Sequence, residues 1–333
     1  MTALGTTAAI FGCLGPTLST PEQAFFRDAD PFGFIIFARN VETPDQLYRL
    51  TSDLRAAVGR DAVVLVDQEG GRVQRLRGPH WREWTPPLEA IAAAKDLASA
   101  CRIMALRASL IAAELRAIGI DANCAPVADI ATDGTHPFLR NRCYGTDATC
   151  VTAIARAVAD AYLAGGVLPV IKHMPGHGRA TGDTHQDRPC VTTDAATLQA
   201  TDFAPFRALA DLPIAMTAHI VFSAFDAEHP ATQSARMIDI IRNDIGFHGL
   251  LMTDDLNMQA LSGSLSQRTA KSMQAGCDIA LHCKGDMFEM QAVATAAGPM
   301  RDDTRARAKR ALLLRRPQPP IDIAALEAAL ADA

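Results

Sequence analysis

The residues best suited to chemistry lie close together between Lys172 and His185. This segment, KHMPGHGRATGDTH, contains three histidines, two basic side chains and one aspartate, separated by glycines and a proline. It follows an apolar run, residues 166–171, that has the length of a buried strand. A polar, glycine-rich loop at the end of a strand places catalytic groups on a rigid support.

Asp183 and His185 are the pair in this segment that could transfer a proton. The carboxylate of Asp183 could hydrogen-bond one ring nitrogen of His185 and leave the other nitrogen free to give or take a proton. A nearby carboxylate also favours the protonated imidazole, which suits a general acid. The alternative is an exposed loop with ordinary polar residues.

The histidines of the segment could instead bind a metal ion. His173 and His177 are four residues apart, but Pro175 and Gly176 between them make a helix improbable, so the spacing of a zinc-binding helix is lost. We therefore predict neither a metal nor a cofactor. A Schiff base on Lys172, as in a barrel aldolase, is a further alternative.

A second pair of candidates, Asp254 and Asp255, follows the apolar run 249–253. A carboxylate at this position could be the nucleophile that attacks a sugar carbon. The alternative is a charge at the start of a helix. Because neighbouring side chains of a strand point to opposite faces, only one of the two is expected to face a pocket.

The segment after Asp67 contains a Gly70–Gly71 pair and two arginines, Arg72 and Arg75. Successive glycines could form an anion-binding turn, but no nucleotide-binding pattern surrounds them. We interpret the pair as a tight turn that lets Asp67 converge on a ligand with Arg72 or Arg75.

Short apolar runs alternate with helical patterns along the whole chain. Such runs are typical of parallel strands that are buried on both faces. The longest helical pattern is 88–118, and Gly119 is a plausible stop. The eight runs are 8–12, 33–37, 62–66, 120–125, 167–171, 213–217, 249–253 and 278–281.

This alternation predicts an α/β fold, a single-domain (β/α)8 TIM barrel. A doubly wound open sheet is the alternative, because periodicity does not reveal strand order. The barrel is expected over residues 1–316. Residues 317–333 follow a proline-rich break and are expected to form a helical appendage, with the helix at 321–330.

Ionisable residues follow six consecutive apolar runs, and this placement favours an enzyme over a non-enzymatic sugar-binding protein. In a barrel, the carboxyl ends of the strands share one face, and that face holds the active site. The residues are Asp67, Asp129, Lys172, His173, His219, Asp254 and His282.

Composition excludes several classes of partner. The net charge of −5 and the pI of about 6.0 give no attraction to nucleic acid or anionic membrane. No apolar run approaches the length of roughly 20 residues that a membrane span needs. The eight cysteines form no CxxC pair, and the amino terminus lacks a basic signal-peptide region, so we expect the cytoplasm. The sequence does not indicate an oligomeric state.

Several motifs, in order along residues 8 to 285, resemble those of family 3 glycoside hydrolases. The resemblance is closest to single-domain β-N-acetylglucosaminidases of peptidoglycan recycling, which are cytoplasmic TIM barrels. Met174 stands where an aromatic residue is commoner. The motifs are VDQEGGRVQR at 66–75, APVAD at 125–129, KHMPGHG at 172–178, MTAH at 216–219 and TDDLNM at 253–258.

The resemblance implies a role for each matching position. Asp254 matches the catalytic nucleophile, and His185 matches the general acid/base, with Asp183 as its partner at the tip of a flexible arm, residues 175–182. The positions that match binding residues for a terminal N-acetylglucosamine are Asp67, Arg75, Arg142, Lys172 and His173.

The implied reaction is the retaining hydrolysis of a β-N-acetylglucosaminide. The expected partner is a small carbohydrate or muropeptide, GlcNAc–1,6-anhydro-N-acetylmuramic acid with or without its peptide. A phosphorylase of the same family is a close alternative, because a histidine repels phosphate less than a carboxylate does. A metal-dependent barrel hydrolase is a more distant alternative.

Overall fold

Eight parallel strands form a closed barrel in the computed structural model, which describes residues 4–182, 188–317 and 321–333. The strands are β1 (Thr7–Gly12), β2 (Pro31–Ile36), β3 (Val63–Val66), β4 (Ala122–Asn123), β5 (Leu168–Met174), β6 (Ile214–Thr217), β7 (Leu250–Asp255) and β8 (Ile279–His282).

The strands follow one another around the barrel in chain order, and β1 closes it by pairing with β8. In this last pairing Ala9 lies opposite Ala280, and on its other side β1 pairs with β2. The predicted (β/α)8 TIM barrel is therefore confirmed, and the doubly wound alternative is wrong.

Each strand buries both faces because successive side chains alternate between two apolar layers. In β3, Val63 and Leu65 belong to the cluster inside the barrel, whereas Val64 and Val66 belong to the cluster between the barrel and its helices. Most positions of the strands are therefore apolar, and the strand sequences do not alternate between apolar and polar residues.

Helices connect the strands and cover the barrel. Two short 3-10 turns, Ala38–Asn40 and Ala231–Gln233, and a π-turn, Ile240–Asp244, accompany them. The α-helices are α1 (Thr20–Ala29), α2 (Pro44–Ala57), α3 (Pro87–Ala92), α4 (Leu97–Ala117), α5 (Pro137–Arg140), α6 (Ala148–Ala164), α7 (Ala195–Ala200), α8 (Ala204–Ala208), α9 (Ala235–Asp239), α10 (Leu265–Ala275), α11 (Met287–Ala297), α12 (Asp302–Leu313) and α13 (Ile323–Ala331).

The helix predicted over 88–118 is two helices, α3 and α4. The carboxylate of Asp96 accepts a hydrogen bond of 2.8 Å from the backbone N–H of Ser99 and so caps α4 at its first turn. The predicted stop is confirmed, because Gly119 has a φ of +76° just after α4.

The carboxyl-terminal helix α13 packs against α4. None of its residues is buried, and its ion pair joins Glu327 to Arg82, which also contacts Glu114. Within the described residues, no helix is long and apolar enough to cross a membrane.

Candidate active site

One pocket lies at the carboxyl end of the barrel strands. The pocket is lined by the predicted nucleophile, Asp254, and by all the residues that the sequence predicts for sugar binding: Asp67, Arg75, Arg142, Lys172 and His173. His185 and Asp183 lie outside the described residues.

A chain of ion pairs forms the floor of the pocket. Lys172 Nζ lies 2.8 Å from Asp67 Oδ1 and 2.6 Å from Glu69 Oε1. Arg142 donates from Nε and Nη2 to the two oxygens of Glu69, both at 2.9 Å. Arg75 Nη2 donates to Asp67 at 3.0 Å. Three cations therefore share two carboxylates.

These pairs keep the carboxylates ionised inside the protein. Burial alone would raise the pKa of Asp67, but Lys172 and Arg75 hold that pKa well below its usual range. Burial would likewise raise the pKa of Glu69, and Arg142 and Lys172 lower it. The same carboxylates raise the pKa of Lys172, against the effect of burial. The floor is thus a fixed array of charged hydrogen-bonding groups.

The turn after β3 depends on glycine. Gly70 has a φ of +94°, and a Cβ there would lie 1.7 Å from Arg107 Nη2. Arg107 fastens the turn because it donates to the carbonyl oxygens of Glu69, at 2.8 Å, and Thr85, at 2.7 Å. The glycine pair therefore serves the tight turn that the sequence predicts, and this turn holds Glu69 under the pocket.

Asp129 holds two histidines, His173 in β5 and His177 in the loop after it. Its Oδ2 lies 2.7 Å from His173 Nδ1, and its Oδ1 accepts from the backbone N–H groups of His173 and His177 at 3.2 and 2.7 Å. The His177 ring packs edge-on against His173, with ring centroids 5.3 Å apart. Burial and the nearby His173 lower the pKa of His177 to about 4. His177 is therefore a neutral ring in the pocket wall at pH 7.

Asp254 and Asp255 both line the pocket, so the expectation that only one would face it is wrong. The register of β7 against β8 shifts between Met252 and Asp255, which breaks the regular alternation. The backbone N–H of Asp255 donates to Asp254 Oδ1 at 2.8 Å.

The two carboxyl groups have opposite electrostatic surroundings. Burial would raise the pKa of Asp254, but His173, His219 and Lys172 lower it, so this group is ionised at neutral pH. Burial, followed by the charge of Asp254, raises the pKa of Asp255 to about 6. Asp254 is consequently the stronger candidate for a nucleophile.

Besides Asp129, two of the ionisable residues at strand ends do not line the pocket. His219 lies behind Asp254, with Nε2 3.1 Å from the carbonyl oxygen of Asp255 and Nδ1 2.7 Å from Thr232 Oγ1. His282 is buried edge-on against Phe11. A polar residue at a strand end can thus face the helices as easily as the pocket.

The predicted flexible arm is not free along its first part. Residues 175–178 and Ala180 are buried. Thr135 donates to the carbonyl oxygen of Gly178, His136 N donates to Ala180 O at 3.2 Å, and Arg179 donates to Asp202 at 2.7 Å. These contacts attach the segment to the loop after β4 and to the turn between α7 and α8, so the arm prediction is wrong for residues 175–180.

Glu69 is the member of the site that sequence reasoning missed. Its side chain is fully buried and touches both Arg142 and Lys172. A signal for it exists in the sequence: the predicted sugar site has three cations and only Asp67 to balance them, and Glu69 is two residues away from Asp67.

The chain matches the family model for the glycosyl hydrolase family 3 N-terminal domain over residues 20–309. The chain belongs to glycoside hydrolase family 3. Among its curated relatives, a beta-hexosaminidase of Methylococcus capsulatus is 36% identical over 280 residues, 82% of each protein. A beta-hexosaminidase of Xylella fastidiosa is 35% identical over 296 residues, 87% of each protein.

Solved structures of glycosidases are similar to this glycoside hydrolase over nearly its whole length. NagZ from Neisseria gonorrhoeae in complex with N-trifluoroacetyl-D-glucosamine superposes with a TM-score of 0.86 and 26% identity, covering 100% of this chain and 98% of that one. A family 3 β-N-acetylglucosaminidase from Paenibacillus sp. has a TM-score of 0.83 and 27% identity, covering 98% of this chain but 62% of that one.

The arrangement of this hydrolase suits a neutral, polyhydroxylated ligand. The cations on the pocket floor are already paired, so they can orient hydroxyl groups without attracting an anion. Within the described residues, no group of three or more His, Cys, Asp or Glu side chains is arranged to hold a metal ion.

Proposed function

We propose that this protein is a retaining exo-β-N-acetylglucosaminidase. The observation that carries the proposal is the ionised Asp254 in a family 3 barrel, facing the Asp67–Lys172–Glu69–Arg142 chain across one small pocket. The curated relatives named beta-hexosaminidase support the choice of sugar.

In the proposed reaction Asp254 attacks the anomeric carbon while His185 protonates the oxygen of the leaving group. The glycosidic bond breaks as the Asp254–sugar ester forms through an oxocarbenium-like state. His185, now neutral, takes a proton from water, which displaces Asp254 and gives a product with the β configuration. The pocket floor orients the sugar and strengthens its contacts in the transition state.

Asp183 orients the His185 ring in this proposal. Asp67, Arg75, Arg142, Lys172 and His173 hold the terminal sugar. The proposed substrate is a peptidoglycan fragment, GlcNAc–1,6-anhydro-N-acetylmuramic acid with or without its peptide, which is hydrolysed in the cytoplasm. The neighbour in complex with N-trifluoroacetyl-D-glucosamine supports an N-acylated glucosamine in the pocket.

The assignment of the nucleophile can be tested by trapping the intermediate. A slow fluorinated N-acetylglucosaminyl substrate should add one sugar mass to the peptide that contains Asp254, as measured by mass spectrometry after proteolysis. The variant Asp254→Asn is the control and should take up no label. A label on Asp255, or none in an enzyme that turns over, would contradict the mechanism.

Product analysis separates hydrolysis from phosphorolysis. The GlcNAc–anhydro-muramic disaccharide should give free N-acetylglucosamine at the same rate in phosphate buffer and in a phosphate-free buffer of equal ionic strength. Accumulation of the sugar 1-phosphate in phosphate buffer would identify a phosphorylase instead.

A further comparison tests the proposal that Lys172 binds the terminal sugar whereas His185 transfers the proton. His185→Ala should lower kcat by a factor on the order of 10²–10⁴, because general acid/base catalysis is lost. Lys172→Ala should weaken inhibition by free N-acetylglucosamine more than His185→Ala does. Equal losses of sugar affinity in the two variants would show that this proposal is wrong.

A further inference from the structure

Arg72 carries an exposed positive charge beside Phe138, a residue of the pocket lining. Its guanidinium carbon lies 4.4 Å from the centroid of the Phe138 ring, and Phe138 lines the pocket. On the inner side, Arg142 lies 5.3 Å from the same ring centroid. The Phe138 ring therefore contacts both a buried arginine of the pocket floor and an exposed arginine outside the pocket lining.

Arg72 differs from the cations on the floor in having no counter-ion among the residues that the structure describes. Arg75, Arg142 and Lys172 each contact Asp67 or Glu69. Across the described parts of the chain, no carboxylate lies within 4.0 Å of the Arg72 guanidinium. The charge-balanced floor thus lies close to an exposed positive charge that no described carboxylate balances.

The position of this charge relates it to one part of the substrate. In an exo-acting glycosidase the terminal sugar occupies the pocket floor beside Asp254, and the leaving group extends toward the mouth. Stacking on an aromatic ring holds the guanidinium plane in place and leaves its N–H groups free for a ligand. A carboxylate is a group that a planar guanidinium binds well, through two parallel hydrogen bonds.

We propose that Arg72, positioned by Phe138, binds a carboxylate on the leaving group and so makes this hydrolase selective for anionic aglycones. This inference rests on the proposed glycosidase function. Arg72 is a specificity residue that acts on the leaving-group side, separate from the residues that hold the terminal sugar.

A matched pair of substrates measures the selectivity. The β-N-acetylglucosaminides of 4-(carboxymethyl)phenol and 4-(carbamoylmethyl)phenol have nearly the same shape, and one carries a carboxylate where the other carries a neutral amide. The ratio of their kcat/KM values reports recognition of the charge. We expect the native enzyme to prefer the anionic substrate, and Arg72→Gln to lower the ratio roughly fivefold, as for a solvent-accessible charge pair.

The control variant is Arg102→Gln, which removes the same charge from an exposed position on α4, away from the pocket lining. It should leave the ratio at the native value, whereas Phe138→Leu, which removes the ring but no charge, should lower it. The native preference should also weaken as the salt concentration rises, because the paired charges are screened.

The outcomes separate the two proposals. If neither glycoside is hydrolysed by the native enzyme, the proposed function fails. If both are hydrolysed and Arg72→Gln leaves the ratio at the native value, the glycosidase function stands and the role of Arg72 is disproved. A fall of the same size in Arg102→Gln would equally disprove it, because net charge and not the site would be responsible.

Discussion

At the scale of single residues, the site depends on buried charges that neutralise one another. Removing one partner of a buried pair leaves the other charged and desolvated, which costs far more than the intact pair contributes. Glu69 is the clearest case, because it is the common partner of Lys172 and Arg142 and no part of its side chain reaches solvent.

We expect Glu69→Gln to lower the free energy of unfolding by about 2–4 kcal/mol, because its amide would turn N–H donors toward two cations. The KM for a chromogenic N-acetylglucosaminide should rise as well, since Lys172 and Arg142 lose their fixed positions. Urea unfolding and steady-state kinetics measure the two effects.

Glu83→Gln is the matched control for this change. Glu83 pairs with Arg77 at 2.8 Å, but both side chains are largely exposed, so the pair contributes little. Equal losses of stability in the two variants would show that burial of Glu69 is not the cause.

Asp255 should make the stability of the protein depend on pH. Its pKa is raised to about 6 in the folded chain, above the ordinary value of 3.8. At pH values between these two, the folded state therefore keeps a proton on Asp255 that the unfolded state has released. The stability that this group contributes is therefore fully present below about pH 4 and is lost as the pH rises through 6.

Asp255→Asn removes this titration. The free energy of unfolding of the variant minus that of the native protein should increase by about 1–3 kcal/mol from pH 4 to pH 8. The other carboxylates titrate in both proteins, so their contributions cancel in this difference. Urea unfolding at the two pH values measures it. A pH-independent difference would mean that Asp255 does not have a raised pKa.

At the scale of elements, the loop after β5 is set by its contact with the loop after β4. A Cβ on Gly178 would lie 1.7 Å from the carbonyl oxygen of Ile130. This oxygen belongs to the backbone, so it cannot move aside as the end of a flexible side chain could. We expect Gly178→Ala to destabilise the protein by roughly 1–3 kcal/mol, as overpacking does, and to lower kcat/KM by displacing the segment that leads to His185.

Gly134→Ala tests whether crowding is the reason. Gly134 lies in the neighbouring loop, and the nearest atom to an added Cβ there is 3.9 Å away. Thermal unfolding and turnover of this variant should match the native protein. Loss of activity in both variants would point to loop flexibility instead of packing.

The strands could be predicted from the sequence more accurately than the loops. Runs such as 62–66 are apolar throughout because both faces are buried, and this pattern is local. The contacts of Gly178 with Ile130, and of Glu69 with Arg142, join residues far apart in the chain, and periodicity carries no such information. The prediction of one helix over 88–118 was wrong for a different reason. The composition favours helix throughout this range, and only the cap at Asp96 separates α3 from α4.

At the scale of the whole molecule, ion pairs at the opposite end of the barrel connect distant parts of the chain. Asp121, at the entrance to β4, contacts Arg55 at 3.1 Å and Arg315 at 2.8 Å. Arg315 also pairs with Asp61. The segment after α12 is thereby held against the base of the barrel, up to the point where we propose that the appendage begins.

This boundary predicts how truncation acts. A chain ending at residue 316 keeps Arg315 and should retain its activity, because α13 is exposed and Arg82 keeps Glu114 as a partner. A chain ending at residue 314 should lose about 1–3 kcal/mol of stability, since Asp121 and Asp61 lose a cation. Urea unfolding of the two chains measures this, and a large loss in the longer one would place α13 within the barrel domain.

The pairing of charges on the pocket floor also constrains how this hydrolase can diverge. Asp67 and Glu69 follow β3, Arg142 lies in the segment after β4, and Lys172 lies in β5. Each of the four needs another as its counter-ion. A lineage that alters one of them must pass through a destabilised intermediate or change two at once. Arg72 has no counter-ion within residues 4–182, 188–317 and 321–333, so under mutation and selection the preference for the leaving group can change while the recognition of the terminal sugar stays fixed.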